Sequence, residues 1–274
     1  KFLVSGSLLI GNTRPVAEGD LTLAVARKVK VALEKYGASV VLLRKAARPL
    51  TPERPNTLRA AAAQELQSTA PTDKLNRLSE LYFYRISEIR ARAALVNEKL
   101  RPDVVLCLHF NAEEWSDPEK PVLVPRNHLH ALVNGCYGAK ELESEDVRAD
   151  MWTQMFGRVA EEAVPLSEAV VEALAKTTGL PPFTYFSKNA LRVGETPYLY
   201  ARNLLASRLY RAPVVFLEPY VMNSAPVWAR VQLGEYSGLK LVDGMQRPCL
   251  TSEYALGVAE GLVSYYRRAR PSSK

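Results

Sequence analysis

Three short, uninterrupted apolar runs set the first limit on what this chain can fold into. They are Ala38-Ser39-Val40-Val41-Leu42-Leu43, Asp103-Val104-Val105-Leu106-Cys107-Leu108 and Pro213-Val214-Val215-Phe216-Leu217. Each is too short for a helix and too continuously apolar for a strand with one wet face, so each reads as a strand buried on both sides. Between them, apolar residues recur at helical spacing. Leu21, Val25, Val29 and Leu33 mark a helix over 20–35 that Gly37 stops. Further helices are predicted over 73–100, from about 149 to 177, over 200–210 and over 252–268, and Pro165 should kink or divide the third of these. Helices alternating with buried strands predict an α/β fold with a mostly parallel central sheet. Residues 46–72 read as a surface excursion, and 113–147 as a long insertion.

Composition narrows the class without choosing the function. The chain has 274 residues, 47% hydrophobic and 24% charged, which is ordinary globular usage and excludes wholesale disorder. No apolar stretch approaches the ~18 residues of a membrane span. Three cysteines are too few and too odd in number for a disulfide scaffold, and Cys107 reads as a small buried hydrophobe. Thirty-six Lys+Arg against 29 Asp+Glu leave a formal charge of +7, which suits an anionic partner: nucleic acid, membrane or cell wall. Gly-rich phosphate loops are absent, which argues against a nucleotide enzyme. The chain opens on Lys1-Phe2-Leu3, with no Met and no signal pattern, so an upstream segment is expected to be missing from it.

In α/β sheets the functional groups gather at the carboxyl ends of strands, which draws attention to His109 and Glu218. His109 follows the 103–108 run and reads either as a hydrogen-bonded histidine at a strand end or as a metal ligand. Glu218 ends the 213–217 run, and a carboxylate there must be paired, protonated or bound to something. Glu18 opens the first helix, where the helix dipole alone would favour a carboxylate. Asn111 and Asn223 read as turn-stabilising residues or as ligands for substrate amides. His128 and His130 share a face if Asn127-His128-Leu129-His130 is extended. Pro181 to Phe186 reads as an aromatic sugar platform or a packed loop.

Four segments, in three regions of the chain, carry a family resemblance in order. Glu18-Gly19-Asp20-Leu21-Thr22-Leu23-Ala24-Val25-Ala26 is followed by Arg90-Ala91-Arg92 leading to Asn97. Asp103 through His109-Phe110-Asn111-Ala112 comes next, and Val214 through Glu218 to Asn223 closes the series. Together they resemble the zinc-dependent N-acetylmuramoyl-L-alanine amidases of the α/β type, over roughly residues 15–45, 85–112 and 212–262. The resemblance implies a hydrolase-like single domain over 1–274, in a divergent subgroup, acting on peptidoglycan or muropeptides outside the cytoplasm, with no nucleic-acid partner. It makes Glu18 and His109 ligands of Zn2+ and Glu218 the general base. Asn111, His128, His130 and Asn223 would contact substrate, and Arg92 would support the site from behind. The family's first zinc ligand is a histidine ahead of Glu18, and residues 1–17 contain none. The third donor would then come from upstream of Lys1, from His128 or His130, or be lost. Two rival readings follow: a non-catalytic cell-wall-binding protein on the same fold, and a metallopeptidase or amidohydrolase acting on another amide.

Overall fold

The computed structural model describes residues 7–8, 13–46, 48–66, 71–115 and 121–269. A short antiparallel pair, β1 (Ser7–Leu8) with β2 (Val16–Ala17), leads directly into α1 (Glu18–Glu34). The helix buries Val25, Val29 and Leu33, which lie on one face at the spacing expected. After α2 (Arg59–Glu65), one long helical stretch runs through α3 (Thr72–Leu81), a π-turn, α4 (Glu88–Ala94) and a second π-turn that ends at Leu100. Then come β3 (Val105–Leu108), β4 (Leu129–Val133), α5 (Glu145–Phe156) and α6 (Val159–Thr178). The chain closes with β5 (Leu191–Arg192), β6 (Leu199–Ala201), α7 (Leu205–Arg208), β7 (Val214–Pro219), α8 (Ala225–Gln232), the hairpin β8 (Lys240–Val242) and β9 (Met245–Arg247), and α9 (Leu250–Ala269). No described helix is long and apolar enough to cross a membrane.

The architecture is α/β: a five-stranded central sheet, ordered β3-β7-β4-β6-β5, with helices on both faces. The pairs β3–β7 and β4–β6 are parallel, while β4–β7 and β5–β6 are antiparallel. Alternation along the strands divides the core. Leu129, Ala131 and Val133 of β4, with Val215 and Leu217 of β7, face α1, α6 and α9. Leu132, Val214, Phe216 and Val105 face the opposite way, toward Ala93 and Val96 of the long helical stretch. The helices α6 and α9 touch closely at Gly261, where a Cβ would stand 2.5 Å from Val170 Cα.

Four expectations need correction. Residues 38–43 form no strand: Val41 is 57% exposed, and the segment lies across a cleft from β3 without pairing to it. Strand propensity without a partner edge is not enough to make a strand. The stretch 113–147 is not merely an insertion, since β4 within it is the middle strand and is buried throughout. The predicted long helix breaks between α5 and α6, where Gly157 is followed by Arg158 in the left-handed region; Pro165 stays inside α6. Finally, 200–210 is mainly the end of β6 and one short helix, α7.

Candidate active site at the carboxyl edge of β3 and β7

Strand period places the site. Continuing the face of Val105 and Cys107 one step past β3 brings His109 to the same side, and the face of Val214 and Phe216 brings Glu218 there. The imidazole of His109 stacks on Phe216, with ring centroids 4.5 Å apart. Because β4 runs antiparallel to β7, its beginning lies beside the end of β7, and His130 is the direct partner of Glu218 in the ladder.

Glu18 reaches the same point from the first turn of α1. Its Oε1 lies 2.9 Å from His109 Nδ1 and accepts the backbone N–H of Phe110 at 3.2 Å. The two residues are 91 positions apart, so their meeting is a tertiary fact and not a local one. Burial works against a charge on His109, but the Glu18 hydrogen bond and the fields of Glu18 and Glu218 outweigh it and raise the imidazole pKa. Tyr254 of α9 holds this edge from below, donating from its hydroxyl to the carbonyl of His109 at 3.2 Å.

Glu218 is held by a polar chain behind it. His130 Nε2 lies 3.1 Å from Glu218 Oε2 and 3.0 Å from Tyr185 Oη, and Arg202 Nη1 donates to that hydroxyl at 3.4 Å. Burial would raise the Glu218 pKa, but the hydrogen bond and charge of His130, with His109 and Arg202, hold it below the usual carboxylate value. Tyr185 and Arg202 were not singled out from the sequence. Nothing in the Arg-rich sequence distinguishes Arg202, and Tyr185 was visible only as one member of an aromatic loop.

The remaining candidates fall behind or beside this centre. His130 is 1% exposed and His128 6% exposed, so neither presents an open face to a substrate. His130 lies on β4, the middle strand of the sheet, and His128 comes immediately before it. Asn223 is fully buried, and its amide is consumed by the backbone of Glu113, donating from Nδ2 at 2.8 Å and accepting at Oδ1 at 3.0 Å. In this way it clips the loop at Glu113. Asn111 accepts its neighbour Ala112 N–H at 2.7 Å, and its backbone N–H donates to Tyr220 O. Arg92 pairs with the buried carboxylate of Glu88 at 2.8 Å, and Glu88 also accepts the N–H groups of Leu50 and Thr51. Phe183 and Tyr185 pack against His128 and His130, while Phe186 is 92% exposed.

His128 gives this region a pH signature. Burial, then the neighbouring charge of His130, lower its pKa from 6.5 to about 4; Glu113 opposes and Arg126 assists. Neither ring nitrogen has a hydrogen-bond partner within 3.5 Å, and Glu113 Oε1, 3.6 Å from Nε2, does not outweigh burial, so the fold holds the imidazole neutral while the unfolded chain protonates it. Stability from this residue is therefore present above pH 6.5 and is lost as pH falls toward 4. The loss is on the order of 1–2 kcal/mol, because solvent screening and the Glu113 carboxylate beside the ring both reduce it. His128→Leu removes that share, which shows as a smaller difference between urea stabilities at neutral and acid pH. Identical acid losses in the two proteins would exclude the assignment.

The sequence matches no family model and no curated protein. Solved structures do match the fold. The chain superposes on Ami1, an N-acetylmuramyl-L-alanine amidase of Mycobacterium smegmatis, over 96% of its own length and 88% of the other, with TM-score 0.51 and 15% identity. The amidase CwlD of Clostridioides difficile, solved with the GerS lipoprotein, matches over 96% and 92%, with TM-score 0.55 and 12% identity. The amidase AmiC2 of Nostoc punctiforme matches over 96% and 91%, with TM-score 0.51 and 14% identity.

The fold is that of the N-acetylmuramoyl-L-alanine amidases.

On this amidase fold, Glu18, His109 and Glu218 line one cleft of about 2920 Å³, which continues along the outer edge of β3 toward Leu42 and Leu43. The donor set tests what metal the site could take. One carboxylate and one imidazole converge, both suited to zinc, but no group of three His, Cys, Asp or Glu donors forms among the described residues.

Proposed function

We propose that this chain hydrolyses the amide joining N-acetylmuramic acid to L-alanine in peptidoglycan or muropeptides, outside the cytoplasm. The observation that carries the reading is the meeting of Glu18 and His109 beside Glu218, three residues the family resemblance singled out and the fold brings to one edge. Glu18 and His109 would hold zinc, with a third donor from outside the described residues. Zinc in such a site supplies a polarised carbonyl and a water whose pKa falls toward ~7. Glu218, ionised at neutral pH, accepts the proton of the attacking water and passes it to the leaving amine. His130 fixes the carboxylate's direction, and Tyr185 fixes His130.

Zinc content separates this reading from its rival. Glu18→Ala and His109→Ala should each weaken zinc binding by more than the ~10–100-fold that losing a supporting residue costs. Zinc uptake unchanged in both variants would end the metal assignment. A second reading, a wall-binding protein without turnover, is favoured by the incomplete donor set. It predicts muropeptide binding with no zinc and no hydrolysis.

A further inference from the structure

Arg202 follows β6 and lines the same cleft as Glu18, His109 and Glu218. Its backbone N–H donates to Val133 O at 2.9 Å, which fixes its origin to the end of β4. Its guanidinium lies over the Tyr185 ring, 5.7 Å from the centroid. The contacts Arg202–Tyr185, Tyr185–His130 and His130–Glu218 form an unbroken chain, so the cation stands a short, fixed distance from the base. Among the half-buried or buried arginines nearby, Arg92 is matched with Glu88, Arg208 with Asp150, and Arg230 and Arg247 with Glu253, while Arg44 is spent on the carbonyl of Gly19. Arg202 has no carboxylate within 4.0 Å among the described residues. A guanidinium carries five N–H donors in a fork that fits a carboxylate, and Tyr185 uses one of them.

We propose that Arg202 is a carboxylate-binding subsite that selects substrates bearing an anionic group on the peptide side of the scissile amide. This rests on the amidase reading, which also fixes the side. In a muramoyl peptide the lactyl carboxyl is consumed in the amide, so the remaining carboxylates belong to the peptide. An extended peptide advances ~3.3–3.6 Å per residue, which brings the carboxylate of the first or second residue past the amide to a cation this close to the base. Held there, the carboxylate orients the leaving amine toward Glu218.

The test pairs two muramoyl dipeptides that differ only at the second residue, a free α-carboxylate in one and its primary amide in the other. Wild-type protein should favour the acid in kcat/KM by about 10–100-fold, the range of one charged hydrogen-bonded pair. Arg202→Gln should bring that ratio close to one, and Arg202→Lys should keep part of it. Equal kcat/KM for the two substrates in the wild type, or the same proportional loss for both in Arg202→Gln, overturns the proposal. Calorimetric titration of the free dipeptides, acid and amide, makes the same comparison without turnover. Tighter binding of the acid that Arg202→Gln removes supports the subsite even if neither substrate is hydrolysed, in which case it is the amidase reading that fails. Equal binding of acid and amide overturns the subsite.

Discussion

Replacing Glu218 by Gln should lower muropeptide hydrolysis by at least ~10²–10⁴-fold, the usual contribution of a positioned general base. Zinc content should stay at the wild-type level, because the proposed role of Glu218 is toward the water. The substitution is close to isosteric, and His130, Tyr185 and the β7 ladder hold the side chain where it is. Loss of activity therefore reports chemistry and not collapse. The depressed pKa of Glu218 adds a sign: activity should persist on acidification until the pH falls below the ordinary carboxylate value, then decline as the base takes a proton. Near-normal hydrolysis by the Gln protein refutes the role, and zinc lost together with activity would make Glu218 a ligand instead.

Glu253→Gln should be the most destabilising single change near this edge. Glu253 is buried in α9 and accepts from Arg230 Nη1 at 2.6 Å, Arg247 Nη1 at 2.9 Å and the Tyr220 hydroxyl at 2.8 Å. Neutralising it leaves two guanidinium groups, one of them buried, without their counter-charge, at a cost of ~3–5 kcal/mol. For a protein of this size that corresponds to a fall of roughly 10 °C in the thermal midpoint. Tyr220 also bears on the site. It sits two residues after Glu218 with φ of 59°, a left-handed conformation that a large side chain adopts at a cost of ~1–3 kcal/mol. Its backbone ties to His128 O and Asn111 N, so the hydroxyl bond to Glu253 keeps strained backbone in place exactly where β3, β4 and β7 end together. A midpoint within ~2 °C of wild type would show that the network carries little.

The parts of this molecule that were legible were those whose signal is local. α1, β3, β7 and α9 announce themselves by period and apolar continuity, and the strand-end positions of His109 and Glu218 follow from them. β4 did not announce itself. It begins at Leu129, directly after His128, and His128 and His130 look polar until the fold shows them buried against Phe183 and Tyr185. Its antiparallel pairing with β7 is equally invisible in sequence, yet that pairing alone puts His130 opposite Glu218. Ala38 to Leu43 failed in the other direction: the residues favour a strand, but a strand exists only where an edge is available to pair with it. Arg202 and Tyr185 gain meaning from distance, and distance does not appear in a sequence.

The outer edge of β3 has a consequence for how the protein behaves in a tube. Among the described residues, Val105 to Leu108 end the sheet and open onto the cleft, without a neighbouring strand, and they carry no proline or lysine of their own to blunt them. The seven surplus positive charges of the chain set copies repelling one another, which opposes edge-to-edge pairing there. Salt shortens the reach of that repulsion to ~8 Å at physiological strength. Added salt should therefore favour self-association of the chain at this edge, and dilute buffer should oppose it.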